Sequence, residues 1–536
     1  MYPFSNSRRE GEAALQKKVY VPILVLLAGL LAAAGVLFLA VRHLTRADGS
    51  GQAASRQEAD RATLQPAVLK IVFPLERPAN EAEVIRAVEA KLAQDDLPLK
   101  LEITYIPYAQ YWNKIWLLAA SGEPYDLVVT AYSNIPDLAA KKVLAPLDEA
   151  LEGYGPSLVK STPAYAFKGV TVNGRIYGIP RVMPMAEFQS FLQIRGDLRK
   201  KYGLPEIRTI AGMDAYLEAV SKHEKDIVPY YYDTGKFLLR EYGNAAFLAG
   251  GFFNSPVYID PDDPDLLVRN TYESDRFRDI MAKMHEWQAK GYAPYPPSVT
   301  SQFPDPEQAF LSGRVAATWS VVMKQTERVD DFKAAHPEGE LENVYLHPEK
   351  PKYLFTAADN ILSVLSTSAH VKESVAFVNW LRSSQENFDL FTYGIEGVHY
   401  KLKDGALSYE GIPPERRYTP VHWAWDDIRY ARFSEHIPKE YAAALRSWDQ
   451  NAVLSPTLGF VPDLAPVKSE MAQLQVITGE YLPQLYDAGV DWESVMGAFR
   501  AKLKDAGIDH VVEEIQEQFD RFREEGGGAS GIPGDS

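Results

Sequence analysis

The chain has 536 residues, a formal net charge of −16 and no cysteine. The acidic balance argues against a nucleic-acid-binding surface, which needs clustered Lys and Arg. The missing cysteines exclude disulfides, cysteine nucleophiles, thiolate metal sites and lipidation of a signal-peptide cysteine.

Residues 19–41, VYVPILVLLAGLLAAAGVLFLAV, carry no charge. About 20 apolar residues suffice to span a bilayer, and the run is long for the core of a cleaved signal peptide, about 7–15 residues. The expectation is an uncleaved single-pass anchor over 19–41, with a cytoplasmic tail over 1–18 and the large domain outside the cell. Arg8, Arg9, Lys17 and Lys18 precede the run and Arg42, Arg46 and Arg56 follow it, a slight lean in that direction. Residues 42–66 are polar and read as a flexible tether. Residues 526–536 are Gly-rich and read as a disordered tail.

The remaining length exceeds what one hydrophobic core usually holds, so two lobes are expected. Residues 68–73, VLKIVF, form a first strand. Residues 81–93 carry Val84, Ile85, Val88 and Leu92 at helical spacing. Residues 99–106 alternate as a second strand, 108–120 are helical, and 125–130, YDLVVT, read as a buried parallel strand. This β-α-β-α-β order implies a doubly wound α/β lobe. Ligands of such sheets sit beyond the carboxyl ends of the strands, which points to Glu76, Tyr132 and Asn134. VNGRIYGIPRVMP, from Val172, and FTAADNILS, from Phe355, read as the segments that cross between lobes.

Motifs for covalent chemistry are missing. There is no G-x-x-x-x-G-K-[ST] phosphate loop and no G-x-S-x-G nucleophile elbow. His285-Glu286 opens like a zinc-protease helix, but Ala289 stands where the second histidine belongs. IDPDDPDL places Asp265 where a calcium loop needs Gly, so Asp260, Asp262, Asp263 and Asp265 read as an acidic surface turn. No metal or cofactor is expected. A carboxylate pair for glycoside hydrolysis is a spatial feature that spacing does not reveal.

Aromatic residues make up 12% of the chain, with 30 Tyr and 9 Trp. Most belong to the core, but aromatic faces also suit the apolar faces of pyranose rings. Trp319 follows the small-residue run Val315-Ala316-Ala317 and is a candidate for stacking, with core packing the alternative. Trp423 and Trp425 in HWAWDD alternate as on a strand, and Trp425 is the ligand candidate. Asp359 and Asn360 interrupt an apolar strand, an expensive place for unpartnered polar groups. They bind ligand or bond across the hinge. Arg181 and Glu187, beside the first crossing, bind ligand or pair with each other.

The stretch GIEGVHY at 394–400 resembles a signature of extracellular solute-binding proteins of ABC importers, the LipO-like group of the sugar-type family 1. VNGRIYGIP, IRGDLRKKYGL, PEQAFLSGRVAATWS and FTAADNILSVLST are similar to successive elements of that family. The tail from Leu458, LGFVPDLAPVKSEMAQLQVITGEYLPQL, resembles its C-terminal domain. The resemblance covers roughly residues 69–523. It implies an α/β, two-lobed, periplasmic-binding-protein-like fold of type II. Lobe 1 is then expected over 67–180 and 358–400, and lobe 2 over 181–357 and 401–525. It also implies a non-enzymatic role: capturing a sugar or oligosaccharide and delivering it to ABC permease subunits, with no nucleic-acid partner. LipO-like proteins are anchored by a lipidated cysteine; this chain departs from that pattern, and its anchor helix would serve instead. A cell-surface sensor and a glycosidase are the rival readings.

Overall fold

Three strands rich in β-branched and apolar residues form the centre of the first lobe: β1 (Ala67–Phe73), β2 (Leu99–Tyr105) and β3 (Leu127–Ala131). They are parallel, with β1 between the other two. The computed structural model describes residues 64–527 apart from 124, 232–234, 295–304, 419 and 421. By compactness the chain divides between Gln65 and Pro66, and the unit that begins at Pro66 carries the elements below. The anchor over 19–41, the tail over 1–18, the tether up to 63 and the last nine residues lie outside the described residues. Among the described residues no helix is long and apolar enough to cross a membrane.

Helix α1 (Glu81–Gln94) joins β1 to β2 and buries Val84, Ile85, Val88 and Leu92, the face its apolar spacing predicts. Helix α2 (Tyr108–Ser121) joins β2 to β3. Its first turn is pinned by Tyr111, whose hydroxyl donates to the Val129 carbonyl at 2.7 Å and accepts the Val129 N–H at 2.8 Å. The sheet is completed by β4 (Ile179–Pro180) and a much later strand, Asn360–Val364, which runs antiparallel between β3 and β4. Gly178 allows that close approach: a Cβ there would lie 2.2 Å from Ile361 Cγ2.

The second lobe is built on an antiparallel sheet of β5 (Phe191–Arg195), β6 (Ala317–Ser320) and β7 (Leu341–Val344), with β5 in the middle. Helix α3 (Lys324–Ala335) joins β6 to β7. The return strand Asn360–Val364, β8 from here on, leads into α4 (Val371–Leu381) and α5 (Gln385–Thr392) on the first lobe. Three C-terminal helices follow: α6 (Lys468–Leu485), α7 (Trp492–Asp505) and α8 (Ile508–Glu524). Their apolar faces are part of the second lobe's own core. Phe499, Val511, Ile515 and Phe519 are buried in one cluster with Tyr272, Phe277 and Trp287. A separate cluster, with Met183, Met185, Val322, Leu354, Ala357 and Phe433, fills the junction where the chain passes between lobes.

One boundary differs from the sequence expectation. Residues 401–432, assigned to the second lobe, pack on the first. The Arg432 guanidinium holds Asp389 of α5 at 2.8 Å, Gln385 Nε2 donates to the Tyr430 carbonyl at 2.7 Å, and Asn80 Nδ2 donates to the Glu415 carbonyl at 2.9 Å. These contacts are polar and long-range, so no apolar periodicity announced them. The chain then returns to the second lobe, where the Tyr441 hydroxyl accepts from Asn343 Nδ2 at 2.6 Å.

Candidate functional site

The carboxyl ends of β1, β2 and β3 and the two crossing segments converge on a polar cluster. Arg181 follows β4 and is almost fully buried. Its Nε donates to Asp359 Oδ1 at 2.7 Å, and Nη2 pairs with Asp359 Oδ2. Its Nη1 donates to the Trp423 carbonyl at 2.8 Å and lies 3.7 Å from Asp426. Asp426 in turn holds His422 Nδ1. Asn360 Nδ2 donates to Asp359 Oδ2 at 3.1 Å, and the Tyr132 N–H donates to the Asp359 carbonyl at 3.1 Å. The Tyr132 hydroxyl pairs with Thr356, and burial raises its pKa. Four of the residues expected from sequence, Tyr132, Arg181, Asp359 and Asn360, are thus brought together.

The charges of the cluster are mutually dependent. Burial works against the Arg181 charge, but Asp359, then Asp426 and Glu327, outweigh it and raise its pKa. Burial likewise opposes a charged His422, and Asp426 with Glu327 overcomes that, so its pKa rises. Glu327 lies in the first turn of α3, on the second lobe. Its field therefore reaches first-lobe groups across the junction.

An aromatic group stands beside the cluster. Tyr108 opens α2 with 59% of its surface exposed. It meets the Trp423 ring edge-on at 5.9 Å and the Trp112 ring edge-on at 5.8 Å. Tyr108 and Trp112 are functional candidates that the sequence reading missed. Both sit at the start of a helix after a parallel strand, the place where the signal could have been found.

The other candidates are placed as follows. Glu76 is exposed just past β1, and Asn134 closes a short helical turn after β3. Trp319 lies on β6, half-buried, and its Nε1 donates to the Gln189 carbonyl at 2.9 Å. The Lys236 ammonium sits 5.1 Å from its ring centre. Trp425 is 1% exposed. It packs on Phe73 at 4.8 Å and Phe391 at 5.0 Å, and its Nε1 donates to Thr392 at 3.1 Å. His422–Ala424 is a helical turn rather than a strand, so the two tryptophans do not alternate as expected. It is Trp423 whose carbonyl joins the cluster, while its ring meets Tyr108.

Glu187 and Arg181 do not pair. Glu187 accepts from Arg240 Nη1 at 3.0 Å, the Tyr353 N–H at 3.1 Å and the Tyr345 hydroxyl at 2.9 Å. Both members of that pair are buried. The acidic turn is satisfied in the same way: Asp260 pairs with Arg276, Asp262 with the Tyr353 hydroxyl and Asp263 with Arg269. Among the described residues no group of side chains could hold a metal ion. A cavity of about 740 Å³ opens elsewhere in the second lobe, beside Ser221, Glu224, Lys225 and Arg314, and among the described residues no aromatic side chain lines it.

The GIEGVHY stretch is a braced turn. Gly394 and Gly397 have φ of 85° and 80°. His399 Nδ1 accepts the Ile395 N–H at 3.0 Å, and a Cβ at residue 394 would lie 2.8 Å from that nitrogen. Burial lowers the His399 pKa despite Glu83 nearby, so the ring is held neutral.

A family model described as bacterial extracellular solute-binding protein matches residues 87–396. The chain belongs to that family. A domain of unknown function, DUF3502, matches residues 456–524, the C-terminal helices. A carbohydrate ABC transporter substrate-binding protein of Streptococcus pneumoniae serotype 4 is 26% identical over 471 residues, 85% of this chain and 91% of the relative. The crystal structure of the N-glycan transport solute binding protein NgtS from Streptococcus pneumoniae aligns with a TM-score of 0.71 at 21% identity, covering 85% of this chain and 99% of that one. The same protein in complex with Man5GlcNAc aligns at 0.64 and 20% identity, covering 86% and 99%. The mixed α/β fold described above is shared with these structures.

Proposed function

We propose that this protein captures an oligosaccharide between its two lobes and delivers it, unaltered, to the permease of an ABC transporter. The observation that carries the reading is the pairing of exposed aromatic surface with a hydrogen-bonding cluster at the strand ends: Tyr108 and Trp423 beside Arg181, Asp359, Asn360 and Asp426. A sugar presents an apolar ring face and a rim of hydroxyls. Each hydroxyl taken out of water needs a partner, and carboxylate and amide groups supply acceptors and donors for them. Membership of the solute-binding family supports the capture role, as does the named role of the Streptococcus pneumoniae relative in carbohydrate ABC transport.

The crossing segments, which join at Arg181, Asp359 and Val182, are the elements about which the lobes would close. Closure is then favoured by whatever contacts a ligand makes in the closed form alone. Residues 19–41 would hold the domain at the outer face of the cell membrane, in reach of the permease. The rival readings differ in outcome. Thermal unfolding of the protein would be followed across mono- and oligosaccharides, with the sugars analysed afterwards. A ligand that binds the native state at 100 times its Kd adds about 2.7 kcal/mol. Stabilisation with the sugar intact is the expected result. Breakdown of the sugar would point to a glycosidase, and no response to any sugar would remove the carbohydrate assignment.

A further inference from the structure

We infer that the site takes uncharged oligosaccharides and rejects those bearing carboxylates, and that Asp359 sets this specificity. The inference rests on the carbohydrate reading above and adds the chemical class of sugar.

The guanidinium is the group best shaped to recognise a carboxylate, through two parallel N–H donors. In this cluster the fork of Arg181 is already filled from within the chain. Nε and Nη2 hold both oxygens of Asp359, and Nη1 donates to the Trp423 carbonyl. Asp426 stands 3.7 Å from the same Nη1. A carboxylate on the ligand would have to displace an internal one.

Carboxylates of the chain also crowd the guanidinium. Asp359 and Asp426 flank Arg181, and Glu327 adds its field from the second lobe. Arg382, buried beside Pro180 and within the field of Asp426 and Arg181, and Lys324 beside Glu327 offset part of that charge without offering an unfilled guanidinium fork at Arg181. The Lys324 ammonium, 2.9 Å from Glu327, is also drawn to Glu307 at 3.8 Å. Lys236, beside Trp319, lies over the rings of Trp319 and Phe252. Interior residues 232–234, 295–304, 419 and 421 contain no Lys, Arg or His. At longer range the net charge of −16 repels an acidic ligand. Sugar hydroxyls meet the opposite situation, because carboxylate oxygens are strong acceptors for O–H donors.

The test uses the full-length protein in a non-glycosidic detergent at low salt. Its probes are neutral oligosaccharides and the same oligosaccharides oxidised at C6 to carboxylates, titrated by calorimetry. The neutral form is expected to bind about tenfold or more tightly than its oxidised counterpart, since like charges brought together are strongly penalised. Asp359→Asn, which loosens the internal hold on Arg181, is expected to narrow that gap. Glu327→Gln should narrow it too, and provides a second variant should Asp359→Asn fail to fold. Equal or tighter binding of the oxidised form by the unaltered protein would overturn the inference while leaving the carbohydrate reading standing. An unchanged gap in folded Asp359→Asn would overturn the role of Asp359. Binding of neither form would overturn the carbohydrate reading, and this inference with it.

Discussion

Two buried charge arrangements near the lobe junction look alike in sequence and act differently. Glu187 and Arg240 are enclosed and saturated by internal partners, so they hold structure. Removing one member of such a pair leaves the other charge buried and alone, which costs about 3–5 kcal/mol. Glu187→Ala is therefore expected to lower stability in denaturant unfolding by that order, while a folded sample binds ligand with unchanged affinity. His422 belongs to the second arrangement. Its pKa in the folded protein lies above the ordinary 6.5 because Asp426 and Glu327 outweigh its burial. A raised histidine pKa means the folded state holds the proton more tightly. The contribution to stability is thus complete below pH about 6.5 and is lost as pH rises through the folded value. Melting temperatures measured across that range should fall with rising pH in the unaltered protein, and His422→Gln should remove this part of the slope. An identical slope in the variant would contradict the assignment.

Elements were legible where burial imposes a period. β3 is buried except at its last residue and β1 buries Leu69, Ile71, Val72 and Phe73, so both read as apolar runs. Helix α1 shows its buried face in Val84, Ile85, Val88 and Leu92. The strand ends of the first lobe, and with them Tyr132, followed from that order. The pairing of Asp359 with Arg181 was within reach, since polar residues in an apolar strand demand partners. What stayed hidden depends on contacts distant in sequence. Residues 401–432 hold to the first lobe by ion pairs, carbonyl hydrogen bonds and Trp425 packed on Phe73 and Phe391, contacts distant in sequence that leave no period. The short turn His422–Ala424 breaks the alternation that made Trp425 the candidate, and the two tryptophans now give opposite predictions. Trp425→Ala empties a packed site against Phe73 and Phe391 and is expected to cost about 3–5 kcal/mol in denaturant unfolding. Trp423→Ala should unfold near the unaltered protein and bind oligosaccharide about tenfold more weakly or worse, a loss of about 1.4 kcal/mol or more. Trp423→Ala with undiminished affinity would remove the stacking role.

For the whole molecule, the C-terminal helices are a structural part of the second lobe rather than an appendage. Leu474, Leu485, Met496, Phe499, Leu503, Val511, Ile515 and Phe519 are buried in the same core as Met281, Met284 and Trp287. Deleting residues 466–525 would expose that surface to water, at roughly 25 cal/mol for each Å² uncovered. The truncated protein is expected to aggregate or to lose its near-ultraviolet circular dichroism, and a soluble, cooperatively unfolding product would contradict this. The two lobes meet where Arg181, Asp359 and Asp426 are joined. Ligand capture is proposed at that junction. The most direct test is calorimetric titration of oligosaccharides into the full-length protein and its Trp423→Ala variant. One binding event per chain is expected, with the sugar recovered intact and the affinity at least about tenfold weaker in the variant. No binding of any oligosaccharide, or equal binding by both proteins, would contradict that proposal.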